Sequence, residues 1–365
     1  MKIKKRYIAA AAANAAAIVL SAVLTVCGNA AAERQAYNFA AERWKGSSST
    51  DYAQISTFFS DDAGFTTDSV GSARTQFIYT LQNVSIAEED GKRQCPDAYS
   101  APTGNMTMTN GFRSFESEVT AVGGDFFMFR SFRLLDGAYF SDSDVMQDGV
   151  VIDSTLAWQL FGSYDIAGKD VKLDGMQLRI AAVVDDPQTK EEKHCYGDKP
   201  KAYISYKAAS KLMQAKDPGE EAFRRVNCYE FIMPDPVDSF AYKSMKEYFG
   251  SWGSDAEIIQ NTDRFSQSVL KKKLKKLKYS MVRDSEIQLP FWENASRITE
   301  YRLTYLYSIV RVCRAVTVLT VVWLVIKGCI ALKRRKKMMF TAVRGFAGKC
   351  AAKMKGMIKR EKKTS

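Results

Sequence analysis

Residues 119–186 read VTAVGGDFFMFRSFRLLDGAYFSDSDVMQDGVVIDSTLAWQLFGSYDIAGKDVKLDGMQLRIAAVVDD, and the alternation of signals in this stretch decides the fold class. The apolar run 119–122 stops at Gly123, Gly124 and Asp125, a turn and N-cap signal ahead of the helical-looking FFMF that contains Phe126 and Phe127. The pattern recurs at 149–152, a strand followed by Asp153 or Ser154 as cap. Leu156, Ala157, Leu160 and Phe161 then fall at helical spacing, and Gly162 ends that helix. Next, 169–173 alternates as a strand, Asp174 and Gly175 form a hairpin signal, and 178–184 returns. Strands feeding short helices, followed by a hairpin, predict an α+β domain.

Five pieces of this stretch carry a resemblance: VGGDFFMF, LLDGAYFSDSD, VVIDSTLAWQLFGS, IAGKDVKLDG and LRIAAVV. In their order and much of their wording they resemble the MacB-like extracytoplasmic core domain of ABC transporter permeases. The resemblance is clearest over about 65 residues and continues more faintly through roughly 50–300. The positions that match its motif are Gly123, Gly124, Asp125, Phe126, Phe127, Gly137, Phe140, Asp153, Ala157, Leu160, Phe161, Gly162 and Gly168, all in structural roles. The resemblance implies a porter-like α/β subdomain near the membrane with a β-rich subdomain inserted at about 130–213.

The 365 residues are 46 % hydrophobic and 26 % charged, enough for two modest domains with a sizeable core. The formal charge of +12 is unevenly placed. Residues 1–6 carry four Lys/Arg and 327–365 carry fourteen against the single acid Glu361, which leaves 7–326 at −5. A nucleic-acid binder concentrates its charge on the folded domain, so no nucleic-acid partner is expected. Here each basic block borders an apolar segment instead. The first, 7–32, holds 26 residues without a charge, and a hydrocarbon core takes ~20. Its rival reading is a cleaved signal peptide ending at Ala30, Ala31 and Ala32, but the uncharged run exceeds the ~7–15 residues typical of such segments. Lipoprotein processing at Cys27 is disfavoured by the bulky Val26 before it. The second segment, 311–332, has Arg314 and Lys327 near its ends, where long side chains reach the headgroups, and KRRKK follows at 333–337.

Both basic flanks are expected in the cytoplasm. The predicted organisation is a cytoplasmic N-terminus (1–6), a transmembrane helix (7–32), an extracytoplasmic domain (33–310), a second transmembrane helix (311–332) and a cytoplasmic tail (333–365) in the plasma membrane. The tail places Met339, Val343, Phe346, Cys350, Met354 and Met357 at helical spacing among lysines. It reads as a basic amphipathic helix on membrane lipids or, equally, as a frayed basic tail.

Within the external domain a stalk helix leads to Trp44. Residues 53–59 then read as a strand, 61–64 as a turn, and 69–81 as a helix with Val70, Ala73, Phe77 and Leu81 on one face. A strand is expected at 84–87 and irregular chain at 90–111. Strand, helix and strand recur at 229–233, 237–249 and 256–259, so two βαβ-like halves bracket the opening stretch. Residues 270–281 read as a strongly basic amphipathic helix that packs by its leucines or contacts anionic wall polymer or headgroups. Pro290 breaks the chain before a second stalk helix at 293–307.

No Gly-x4-Gly-Lys-Ser/Thr stretch is present to cradle a nucleotide: the Gly-Lys pairs at 91, 168 and 348 are followed by Arg, Asp and Cys. His194 is the only histidine, which excludes multi-histidine zinc sites. With Cys195 it lies in TKEEKHCYGDK, read as a polar surface loop. Acidic clusters such as Asp61-Asp62, Asp142/Asp144 and Asp185-Asp186 could bind a cation weakly, yet acids in turns are ordinary capping chemistry. No catalytic, cofactor-binding or metal-ligating residue is assigned, no cofactor is expected, and the chain is not read as an enzyme. Cys95, Cys195 and Cys228 in the external domain allow at most one disulfide.

The resemblance implies a permease-like subunit of an ABC exporter or mechanotransmission complex, partnered by an ABC ATPase and by a second copy or a longer permease in a homo- or heterodimer. The family typically carries four transmembrane helices, and this chain ends soon after its second. The alternative is a membrane-anchored extracytoplasmic binding or scaffolding protein without energy coupling.

Overall fold

The computed structural model describes residues 5–84, 86, 93, 95–217, 219, 221–237, 239–274 and 286–361. After α1 (Lys5–Glu33) come α2 (Ala40–Lys45), β1 (Tyr52–Phe59), α3 (Thr67–Asn83), β2 (Asp97–Thr109) and β3 (Ser114–Gly124). Next are α4 (Phe126–Arg130), β4 (Leu134–Gly137), β5 (Gly149–Asp153), α5 (Ser154–Phe161), β6 (Asp170–Leu173), β7 (Met176–Val184), α6 (Lys190–Tyr196) and β8 (Lys201–Ser205). The chain ends with α7 (Tyr206–Lys216), β9 (Cys228–Pro234), α8 (Phe240–Phe249), β10 (Ala256–Gln260), α9 (Gln267–Leu274) and α10 (Phe291–Glu361). Two units result: Met1–Gly28 with Leu306–Ser365, and Asn29–Tyr305.

In the second unit the strands join one mixed sheet, in the order β10-β1-β9-β2-β3-β8-β5-β7-β4, with β6 pairing β2 and β7. At one end β1 is antiparallel to β10 and β9, and β9 is antiparallel to β2. With α3 between β1 and β2, and α8 between β9 and β10, this is a split βαβ arrangement built from the two predicted halves. At the other end β2 and β3 form a long hairpin, β8 runs parallel to β3, β5 antiparallel to β8, and β7 parallel to β5. Because β6 pairs with both β7 and the end of β2, six strands close into a ring and hide their edges from solvent. The sequence reading sets 130–213 apart as an inserted subdomain. In the structure its strands continue the same sheet, since β8 pairs with β3, and it carries α5, α6 and α7 as well as strands.

Every residue of β1 and β9 is buried, so alternation sends neighbouring side chains to two covered faces. Ala53, Ile55, Phe59, Tyr229, Phe231 and Met233 pack beneath α3 and α8 with Phe77, Met245 and Phe249. Tyr52, Phe58, Cys228 and Ile232 face the other way, against α2, α4 and the first turn of α10. A third core, including Met106, Val119, Ile152, Leu160, Ile180 and Ile204, belongs to the ring.

Several expectations change. Residues 97–109 are not irregular but form β2: a register shift between Pro102 and Gly104 obscures the alternation. TKEEKHCYGDK is not a loop, because Thr189 and Glu192 form a capping box that starts α6. Strand β8 and helix α7 fall where the sequence reading assigned nothing. Val84 is a turn and caps α3 rather than starting a strand, and Ala87 lies outside the described residues. The basic helix is seen as α9 up to Leu274, while 275–285 lie outside the described residues. The second stalk, second membrane segment and tail form one helix of 71 residues, since no proline interrupts them. The side chains of Phe346, Cys350, Met354 and Met357 lie outside the described residues.

In the first unit, Tyr7 and Trp323 have ring centroids 5.7 Å apart, while a Cβ on Gly28 would come within 2.9 Å of the Tyr307 ring. The two helices are therefore side by side and antiparallel, and Arg314 donates to the Thr25 hydroxyl at 3.3 Å. Tyr7–Glu33 and the stretch of α10 up to Gly345 are both long and apolar enough to cross a membrane.

Candidate functional site: a buried polar layer

The face of β1 and β9 turned toward α2 and α10 carries Gln54, Ser56 and Glu230 among its apolar residues, all buried. Register places Ser56 directly opposite Glu230, and the Ser56 hydroxyl donates to Glu230 Oε1 at 2.8 Å. Gln54 Nε2 donates to the same oxygen at 3.3 Å and to the Tyr37 carbonyl at 2.9 Å, while Gln54 Oε1 accepts from the Ala40 amide at 2.9 Å. One side chain thus ties the segment after α1 to the sheet. Arg130, at the end of α4, forms an ion pair with Glu230, and its guanidinium stands 4.2 Å from the Trp292 ring centroid. Burial pulls Arg130 down to about 10, which leaves it charged at neutral pH. The pairing answers the cost of burying two charges, and Trp292 adds a cation–π contact.

Arg264, in the turn between β10 and α9, is the hub of the layer. It is fully buried and grips Glu293 with two parallel bonds of 2.8 Å, a bidentate geometry that favours arginine. Its Nε donates to Glu300 at 2.9 Å, and its Nη1 reaches Asn261 at 3.3 Å and Asn38 at 3.4 Å. Asn38 also donates to Ser296 at 2.8 Å. Arg297 bonds Glu293 at 2.8 Å and Glu257 of β10 at 2.9 Å, and Lys273 of α9 reaches Glu300 at 2.5 Å. Burial pushes the Glu293 carboxyl up, but Arg264 and Arg297 outweigh it and hold the group below the usual carboxylate range. The segment after α1, the sheet and the first three turns of α10 therefore share one charge-assisted network. The arrangement ties the three together, because none of them can move without breaking these bonds or carrying the others along.

The motif residues fall into two groups. Gly123, Gly124, Asp125, Phe126, Phe127 and Phe140 surround α4 beside this layer. A Cβ on Gly123 would sit 2.3 Å from the Tyr99 ring, and one on Gly124, whose φ is +65°, 2.4 Å from the Asp97 carbonyl oxygen. Asp125 stands at the N-cap position of α4 without a side-chain cap, and its own amide donates to Asp97 O at 2.7 Å. Phe127 stacks on Tyr139 at 4.5 Å and meets Phe140 edge-on at 5.1 Å. The second group lies in or around the ring: Ala157 and Leu160 in its core, Phe161 beside them, Gly162 ending α5, and Gly168 in the turn before β6. Gly137 carries a positive φ where β4 meets β7, and its missing side chain lets the Ala181 carbonyl approach. Asp153 belongs to neither group. It caps α5 by accepting from Leu156 at 2.8 Å, and it also accepts from the Tyr196 hydroxyl at 2.8 Å and the Lys201 amide at 2.6 Å. Burial raises it to about 6.

Sequence reasoning missed the hub itself. Arg264 sits in a polar turn, and nothing local marks it as buried. The signals available were single charges inside apolar runs: Glu230 in CYEFIMP, Arg130 after FFMF, Glu293 after Phe291 and Trp292. Among the described residues no cluster of three or more His, Cys, Asp or Glu is placed to hold a metal ion. The six cysteines described are free thiols.

The profile of the MacB-like periplasmic core domain matches residues 14–233. Three solved structures are similar to part of this chain. The extracellular domain of the noncanonic ABC-type transporter YknZ from Gram-positive bacteria is 14 % identical with a TM-score of 0.37, over 56 % of this chain and 99 % of that one. The periplasmic region of MacB from Actinobacillus actinomycetemcomitans is 18 % identical with a TM-score of 0.38, over 63 % and 94 %. A domain of a putative permease protein from Porphyromonas gingivalis is 13 % identical with a TM-score of 0.33, over 57 % and 88 %. No curated protein sequence matches.

Proposed function

The chain belongs to the MacB-like periplasmic core domain family of ABC-type transporter permeases, and from that premise we propose that it couples a partner ATPase to movement of its extracytoplasmic domain. The observation that carries this reading is the Arg264 network, which joins Asn38 after α1 to Glu293 and Glu300 on α10 through the turn that follows β10. Each hydrogen bond to a charged group contributes ~1.5–3 kcal/mol, so in this reading displacement of the segment after α1 or of the first turns of α10 is passed on to the sheet.

In this reading both termini are cytoplasmic, because the basic residues at 1–6 and 327–365 flank the two apolar segments on the side where positive charge is retained. The chain itself hydrolyses no ATP, and the energy enters through the partner, since no Gly-x4-Gly-Lys-Ser/Thr stretch occurs in its 365 residues. A second permease copy, identical or longer, completes the assembly, and the basic tail meets anionic lipid or the ATPase. Affinity capture of the full chain in mild detergent, followed by mass spectrometry, tests the proposal. An ABC ATPase in the eluate is the expected result. Recovery of the intact chain with neither an ATPase nor another permease, after cross-linking and in several detergents, leaves an anchored binding protein.

A further inference from the structure

A cavity of about 380 Å³ opens between the segment that follows α1, the turn after β7 and helix α6. Its volume lies in the range of small-molecule sites, ~300–1,000 Å³. Aromatic rings supply much of its wall: Tyr37, Phe132, Tyr196 and Tyr203. Two carboxylates also face it. Glu192 is only 5 % exposed, yet among the described residues no cation pairs with it, and its carboxylate accepts from the Thr189 amide at 3.2 Å. Asp186 accepts from the Thr155 hydroxyl through Oδ2, while its Oδ1 is buried and among the described residues has no partner. Tyr203 is 2 % exposed, and among the described residues its hydroxyl makes no hydrogen bond.

The two arginines on the wall do not neutralise these groups. Arg133 is mostly exposed and is engaged by Asp185 at 3.2 Å, and Arg34 is exposed with no carboxylate within ion-pair distance among the described residues. A buried carboxylate without a counter-charge is costly, and aromatic faces attract cations. We propose that this cavity binds a small organic cation, a protonated amine on an apolar body, whose ammonium group sits between Glu192 and Asp186 and whose body lies against the aromatic wall. A second consequence follows from the wall's composition. Arg34, Ala36 and Tyr37 belong to the connection from α1, so an occupied cavity restrains that connection. The ligand site stands on its own geometry and does not depend on the transport reading.

The test uses the full chain in detergent at neutral pH with 2-phenylethylammonium as probe, against its neutral counterpart 2-phenylethanol and the anion 3-phenylpropanoate. Calorimetry and saturation-transfer NMR read the affinities. The ammonium probe is expected to bind saturably and at least about tenfold more tightly than the alcohol, the factor of one charge-assisted hydrogen bond. Glu192→Gln keeps the capping reach of the side chain, so it should fold with an unchanged melting profile and bind the probe about tenfold more weakly. Glu191→Gln, one residue away, outside the cavity lining and paired with Arg302, should bind as wild type. Tyr203→Phe and Asp186→Asn provide the same readout if Glu192→Gln fails to fold. Equal binding of the alcohol or the acid, unchanged affinity in these variants, or no saturable binding of the ammonium probe overturns the proposal.

Discussion

Replacing Arg264 with methionine leaves Glu293 and Glu300 facing an apolar side chain inside the layer. Removing one partner of a buried ion pair destabilises by ~3–5 kcal/mol, because the remaining charge stays out of water. Arg297 still bonds Glu293 at 2.8 Å and Lys273 still reaches Glu300 at 2.5 Å, so the lower end, ~3 kcal/mol, is expected. Urea unfolding of the full chain in detergent, followed by tryptophan fluorescence, measures it, with Trp292 buried in the same layer. The pH dependence has a definite sign. In the wild type Glu293 is held below the usual carboxylate range, so its contribution is present above the unfolded value of ~4.3 and is lost as pH falls through the folded one. In the variant its main counter-charge is gone, burial pushes the carboxyl up, and protonation relieves it. The stability gap should therefore narrow between pH 7 and about pH 4. A variant within ~1 kcal/mol of wild type at pH 7, or a gap that widens on acidification, would refute the role given to this network.

Asp153 titrates with the opposite sign: burial raises it from 3.8 to about 6, so the stability it contributes is full below about pH 4 and declines as pH rises to about 6. Asp153→Asn should remove ~3 kcal/mol of that decline between pH 4 and pH 7, read from thermal melts across pH, and an unchanged slope would contradict the assignment. Gly162→Ala meets open space at a φ of +67° and should cost ~1 kcal/mol, whereas Gly124→Ala also meets the Asp97 carbonyl at 2.4 Å and should cost clearly more; equal melting shifts would contradict the packing. In single-cysteine variants, Cys195 should react with a maleimide in the native protein. Cys95 and Cys228 should react only on unfolding, both being buried and Cys228 pushed up to about 12, and fast native labelling of either would show a different core.

Much of this fold was legible because its elements announce themselves locally. Asp153 and Gly162 bracket α5, Asp174 and Gly175 turn the β6–β7 hairpin, and Val70, Ala73, Phe77 and Leu81 mark the buried face of α3. The misreadings have physical causes. Strand β2 hides its alternation behind Pro102 and Gly104, and α6 is announced only by the Thr189–Glu192 box within a polar run. How the insert joins the sheet was not legible, because pairing between β3 and β8, some 80 residues apart, leaves no local trace. The polar layer was illegible for the same reason. Asn38, Gln54, Glu230, Arg264 and Glu293 come from five segments, and their meeting depends on the register of β1 against β9 and on where α10 begins.

Hydrogen exchange on the chain captured with the proposed partner ATPase tests the central claim most directly. Peptides covering 34–40, 261–264 and 290–300 should change protection together when the ATPase is trapped with nucleotide, because one network joins them. Exchange in these three segments that stays the same across nucleotide states, while the bound ATPase is active, would contradict the coupling.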